Sequence, residues 1–150
     1  MEIKETLSVS AEEFFDFLYH SIILDIKEST GESLKRDEII EGMTYSKTLT
    51  TKTGQTGEAT VSLTTIQPNE SYKASFNTTQ GENITHYEVE ELTDQQIEVT
   101  YREEYVASSW LKGLNFKLMN LFFKRRSKKQ ASERLYQIEK YLKNQRENTN

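Results

Sequence analysis

The sequence predicts an α+β fold, a curved antiparallel sheet wrapped around one long C-terminal helix. Three observations carry that expectation. A short amphipathic strand and a capped helix open the chain, period-two alternation cut by turn signals fills the middle, and a basic helical stretch closes it. With 150 residues, the simplest organisation is a single domain over 1–150, large enough to bury roughly two-thirds of its unfolded surface, with a tail that frays from about residue 145.

The first helix is marked by Ser10-x-x-Glu13, a capping box in which the serine hydroxyl accepts the N–H of Glu13 and the glutamate reaches back. Glu12, Glu13 and Asp16 sit where the helix dipole favours anions. Phe14, Phe15, Phe17, Leu18, Ile22 and Ile26 recur at helical spacing. The pattern predicts a helix to about Glu28 with Gly31 as its stop, and Ser21 to Leu24 is a candidate bend dividing it into two short helices.

From Ile39 the period becomes two. Met43, Tyr45 and Leu49 oppose Thr44, Ser46, Thr48 and Thr50; Ala59, Val61 and Leu63 oppose Thr60, Ser62 and Thr64; Tyr72, Ala74 and Phe76 oppose Ser71, Lys73 and Ser75. Tyr87 and Val89 oppose His86, Glu88 and Glu90, and Ile97, Val99, Tyr101 and Tyr105 oppose Glu98, Thr100, Arg102 and Glu104. Five such runs are the mark of an antiparallel sheet with one wet face. Turn signals at 53–57, 67–70, 80–81 and 93–94 make it a meander. From Ser108 to about Gln145 the pattern is helical again, with Gly113 near the start of the main helix. Leu114, Leu118, Leu121 and Phe122 lead into Ala131, Leu135, Ile138 and Leu142.

Composition narrows the chemistry. There is no cysteine, which excludes disulfides, thiolate metal sites and cysteine nucleophiles. The N-terminus lacks the charged and apolar regions of a signal peptide, and no apolar run approaches a membrane span, so a soluble cytoplasmic protein is expected. The sequons at Asn69, Asn77 and Asn83 then read as turn and strand-end residues. The net charge of −5 conceals an asymmetry: residues 1–105 hold 21 acidic and 8 basic side chains, and residues 106–150 hold 3 and 11.

Two stretches resemble the START-like, polyketide-cyclase-type helix-grip superfamily, which includes the pathogenesis-related and birch-pollen-allergen proteins. One is the strand leading into Ser10-Ala11-Glu12-Glu13-Phe14-Phe15-Asp16-Phe17-Leu18. The other is Leu118 to Leu142, with its basic middle and leucine-spaced end. Within the superfamily the chain looks most like a small, uncharacterised Gram-positive bacterial branch in which Tyr101-x-Glu103-x-Tyr105 recurs. The resemblance implies a cavity between sheet and C-terminal helix for a small apolar or amphipathic molecule. The same cavity could serve a cyclase- or hydratase-type enzyme, and fold alone does not choose.

On that expectation Tyr45, Val61, Tyr72, Phe76, Tyr87, Val99, Tyr101, Glu103 and Tyr105 line the sheet side, and Phe116, Met119 and Phe123 face them from the helix. Hydroxyl-bearing rings suit an apolar pocket that orients a ligand with a few hydrogen bonds; a filled core would use the same rings. Glu103 is either a ligand-orienting or general-base carboxylate or the ion-pair partner of a basic residue of the C-terminal helix such as Arg125 or Lys129. His20 and His86 lie on different elements, and no metal motif, phosphate loop or nucleophile elbow is present, so no catalytic residue, metal or cofactor is assigned. Lys124, Arg125, Arg126, Lys128 and Lys129 beside Phe122 and Phe123 form either an interaction patch for a membrane surface or a protein partner or a solvated helix face complementing the acidic body. No stacking aromatics interleave those cations, so nucleic acid is not an expected partner.

Overall fold

The computed structural model describes residues 1–50, 54–107 and 128–148. Strand β1 (Glu2–Leu7) leads into helix α1 (Ala11–Thr30), and a 3₁₀ turn at Arg36–Glu38 precedes the sheet. Strands β2 (Thr44–Thr50), β3 (Thr56–Gln67), β4 (Ser71–Thr78), β5 (Gly81–Thr93) and β6 (Gln96–Ala107) follow, then helix α2 (Lys128–Asn148). All pairings are antiparallel, in the order β1-β6-β5-β4-β3-β2. The meander runs from β2 to β6, and the chain's first strand closes the sheet beside its last. Register shifts between Leu63 and Thr65 and between Glu91 and Thr93 interrupt the long strands, and such bulges bend a strand and increase its twist.

Helix α1 begins as its sequence dictates. The Ser10 hydroxyl accepts the Glu13 N–H at 3.0 Å, and the Glu13 carboxylate accepts the Ser10 N–H at 2.9 Å. Gly31 ends the helix at φ 81°, a conformation that glycine adopts without a Cβ penalty. The bend expected at Ser21 to Leu24 is absent: α1 is one helix of 20 residues. Ser21 turns its hydroxyl onto the Phe17 carbonyl at 2.9 Å, a local bond that lets serine sit in mid-helix. Ile22 and Ile26 carry the buried stripe straight through the segment.

Strand β2 starts later than its alternation suggested, at Thr44 rather than near Ile39. Gly42 at φ 91° and a Met43 N–H···O=C Ile40 bond form a turn there, and Ile39 is buried as a plug ahead of the strand.

The core lies where α1, α2 and β1 meet the inner face of the sheet. Leu7, Val9, Phe14, Phe15, Ile97 and Val99 are fully enclosed, and Leu135, Ile138 and Leu142 of α2 pack into the same cluster. Helix α2 is tied to the start of the chain from its middle to its C-terminal end. Tyr136 donates to Glu5, the Glu139 carboxylate accepts the Ser8 N–H at 2.6 Å, and Arg146 meets Glu13 at 2.7 Å. That last pair holds the helix beyond residue 145, to Asn148. The expected start of the main helix at Gly113 and the positions Leu114 to Phe122 lie outside the described residues. Among the described residues, no helix is long and apolar enough to cross a membrane.

On the outer face, Arg102 joins Glu2 at 2.8 Å and Glu88 at 3.0 Å, bracing β1 against the meander.

Ser10→Ala should lower stability by about 1 kcal/mol, because a first-turn N–H loses its partner. In a domain of this size that is a fall of about 3 °C in Tm, and an unchanged melting curve would show that the cap carries no weight.

Glu13 generates a second expectation. Burial pushes its carboxyl up, but the Arg146 guanidinium and the Ser10 N–H and hydroxyl outweigh that and hold it below its ordinary value of 4.5. A depressed folded pKa contributes stability that is complete above the unfolded value and lost as pH falls through the folded one. Melting temperature should therefore drop more steeply below pH ~4.5 in the parent than in Glu13→Gln; parallel curves would show that Glu13 is not a linked group.

Candidate functional site

Antiparallel register builds one wall of the site. It sets Tyr72 opposite Tyr87 and Tyr87 opposite Tyr101, with ring centroids 6.2 and 4.9 Å apart. Phe14 of α1 meets Tyr87 edge-on at 5.9 Å. Moving along the strands, Thr85 stands opposite Glu103, and Asn83 lies between Phe76 and Tyr105. Period-two alternation puts all these side chains on one face.

Between this wall and the two helices is a cavity of about 940 Å³, at the upper end of the usual range for small-molecule sites. Among the described residues, Leu18, Ser21, Ile22 and Asp25 of α1 border it. From the sheet come Tyr45, Lys47, Leu49, Tyr72, Phe76, Asn83, Thr85, Tyr87, Tyr101 and Glu103. Helix α2 contributes Gln130, Glu133, Arg134 and Gln137.

Two polar clusters occupy the lining. In the first, Asp25 accepts the Tyr45 hydroxyl at 2.5 Å and the Lys47 ammonium at 2.6 Å. In the second, Glu103 accepts the Tyr101 hydroxyl at 2.9 Å and the Asn83 amide at 3.4 Å. Burial, then the hydrogen bond to Asp25, pushes the Tyr45 phenol far up. Burial, with the neighbouring Tyr87 and Glu103, does the same to Tyr101. Burial dominates at Tyr72 and Tyr87 as well, while Arg134 is near enough to pull Tyr87 and Tyr101 slightly the other way. These phenols are neutral donors at any physiological pH.

Of the residues the sequence singled out, Tyr45, Tyr72, Phe76, Tyr87, Tyr101 and Glu103 come together on the cavity wall. Val61 and Val99 share that face but are sealed in the core, at 1% and 0% exposure. Tyr105 also shares it, yet its hydroxyl donates to the Gln80 carbonyl at 2.9 Å, and its ring fills the place a Cβ on Gly81 would need. Phe116, Met119 and Phe123 lie outside the described residues, as do Lys124, Arg125 and Arg126; Lys128 and Lys129 are exposed at the start of α2. Glu103 accepts from Tyr101 and Asn83 rather than from Lys129, and Arg125, the other ion-pair partner considered for it, lies outside the described residues.

Sequence reasoning missed Asp25, Lys47, Asn83, Thr85 and Arg134. A signal for three of them was available: Lys47 alternates with Tyr45 and Leu49, and Asn83 and Thr85 alternate with Tyr87. Reading the inner face for apolar residues alone passed over them.

His86, on the outer face, lies 3.1 Å from the Ser71 hydroxyl and 3.6 Å from Glu88, both through Nε2. A nucleophile–base–acid relay needs the acid on the other ring nitrogen, so this cluster is not a triad. Among the described residues, no three His, Asp or Glu side chains gather as a metal site.

A family model described as a domain of unknown function, DUF3284, matches residues 1–124. The chain belongs to that family. No match is found among curated protein sequences. In structure, this DUF3284 chain is similar to a conserved protein from Geobacillus kaustophilus, with 17% identity, 95% of this chain and 94% of the other covered, and a TM-score of 0.58. It is similar to Ara h 8.0201, with 13% identity, 95% of each chain covered and a TM-score of 0.59. A point mutant of Thalictrum norcoclaurine synthase in complex with a transition-state analogue gives 8% identity, 97% and 94% coverage and a TM-score of 0.60. The helix-grip fold expected from the sequence is the fold this DUF3284 chain shares with them.

The buried phenols lead to an alkaline prediction. A phenol whose folded pKa is raised contributes stability that is complete below the unfolded value near 10 and lost as pH rises toward the folded one. Absorbance at 295 nm in the folded protein should therefore show Tyr45, Tyr72, Tyr87 and Tyr101 still protonated at pH ~11, ionising only with unfolding. Reversible titration of all eight tyrosines near pH 10 would show that the row is wet.

Proposed function

We propose that this chain binds a small hydrophobic or amphipathic molecule in the cavity between the sheet and the C-terminal helix. The observation that carries this reading is the coincidence of volume and lining. A space of about 940 Å³ has the Tyr72–Tyr87–Tyr101 row and Phe76 on one wall, and Asp25, Lys47 and Glu103 set among them. Rings supply contact area at little cost in conformational entropy, and a few fixed polar groups supply orientation. The Thalictrum structure, similar in fold, holds a small molecule, which agrees with the reading without identifying the ligand.

The test is a neutral environment-sensitive dye, N-phenyl-1-naphthylamine. It should bind the native protein saturably at one site. Phe76→Trp, which adds volume at the wall, should weaken binding about tenfold, equivalent to about 1.4 kcal/mol, with the circular dichroism spectrum unchanged. Non-saturable binding, or equal affinity in a folded Phe76→Trp protein, would overturn the proposal.

A further inference from the structure

We propose that the ligand is a neutral polyhydroxylated molecule with an apolar portion, a glycoside, rather than a fatty acid, a hydrocarbon or an amine. This rests on the binding role just proposed and names the ligand class. The starting observation is how polar the cavity is. Of the eighteen described residues that line it, only Leu18, Ile22, Leu49 and Phe76 lack a side-chain nitrogen or oxygen. A purely apolar occupant would strip water from the donors and acceptors that these side chains do not already spend on one another, and would return no hydrogen bonds, which is costly for each group left unpaired.

The arrangement of charge separates the remaining classes. The described lining holds three carboxylates, on Asp25, Glu103 and Glu133, and two cations, on Lys47 and Arg134. A ligand carboxylate could reach Arg134, but it would find Lys47 already neutralised by Asp25 at 2.6 Å and would share the walls with Glu103 and Glu133. A ligand ammonium would find Glu103, but with Lys47 and Arg134 sharing the same walls. Neither single charge satisfies both signs.

A hydroxyl group does, because it both donates and accepts. Several hydroxyls on one scaffold can donate to Glu103 while accepting from Lys47 or Arg134, with no net charge brought into the cavity. Glu103 retains acceptor capacity for this, since the Asn83 amide reaches its Oε1 only at 3.4 Å while Tyr101 occupies Oε2. Lys47 keeps two of its three N–H donors beyond the one given to Asp25. The tyrosine row presents carbon edges and hydroxyls on one surface, which matches the C–H faces and hydroxyl rim of a sugar ring.

Probes that share one phenyl group and differ in the head isolate that head. Phenyl β-D-glucopyranoside, its galactoside and its xyloside would be compared with 2-phenylethanol, 2-phenylethylamine and phenylacetate at pH 7, by calorimetry and by displacement of N-phenyl-1-naphthylamine. The best glycoside should bind at least tenfold tighter than each of the other three. Glu103→Leu should cut the ratio of glycoside to 2-phenylethanol affinity about tenfold, and Lys47→Met provides the same reading if the first variant does not fold. If the dye binds at one site but no glycoside exceeds 2-phenylethanol, or if the amine or the carboxylate binds tightest, the glycoside proposal falls and the ligand-binding role stands. If neither dye nor probes bind, both fall.

Discussion

The rest of the structure depends on the pairing of β5 with β6. These strands run antiparallel from Gly81 opposite Ala107 to Thr93 opposite Gln96, and their register decides which side chains look inward. It puts Tyr87 against Tyr101, Thr85 against Glu103 and Asn83 against Tyr105. A slip of one residue on either strand would send that strand's entire inward set to solvent. Burial enforces the register: Ile97, Val99 and Tyr101 are all buried on the inner face, while Arg102 on the outer face is committed to Glu2 and Glu88. Apolar burial and the outer ion pairs demand the same alignment.

What encloses the site is of a different kind. Helix α1 is anchored by its own caps and its phenylalanine stripe, so it packs as a preformed element against the sheet. Helix α2 has a narrow buried stripe, Ala131, Leu135, Ile138 and Leu142, and otherwise presents polar and charged side chains. Its position is set by that stripe together with contacts to Glu5, Ser8 and Glu13, all contributed by the first thirteen residues. The chain's two ends are thereby fastened together over the sheet, and Gln130, Glu133, Arg134 and Gln137 are carried to the cavity as a consequence. The stripe does the packing, and the flank beside it borders the site.

The cavity's polarity follows from this construction. A sheet face that packed wholly against helix would be filled with aliphatic side chains, as it is around Leu7, Val9, Ile97 and Val99. Along β2 and β5, where it borders the cavity, the inner face carries Tyr45, Lys47, Asn83 and Thr85 instead. Charged and amide groups survive there because they bond to one another, Lys47 and Tyr45 to Asp25, and Asn83 to Glu103. Each cluster joins groups distant in sequence, so neither forms before the tertiary structure does.

Much of the architecture was legible in the residues. The Ser10–Glu13 box, the Phe14-to-Ile26 stripe, five alternating runs and their turns specify local structure through interactions within a few positions of one another, and such signals survive in a linear reading. The inner-face assignment of Tyr45, Tyr72, Phe76, Tyr87, Tyr101 and Glu103 needed nothing beyond strand period. Other features were decided only by tertiary structure. Alternation is blind to whether a space is filled or left open, so it could not separate Val61 and Val99, sealed in the core, from Tyr72 and Phe76 at the cavity. Nor could it tell that Tyr105 would be taken up by Gly81 and the Gln80 carbonyl. The partners of Glu103 and the meeting of Asp25 with Lys47 depend on strand register and helix placement over separations of about twenty residues. The sequence determined which faces turn inward, because that is a local, periodic property. Which inward residues touch each other, and which border open space, was decided when helices and sheet closed on one another.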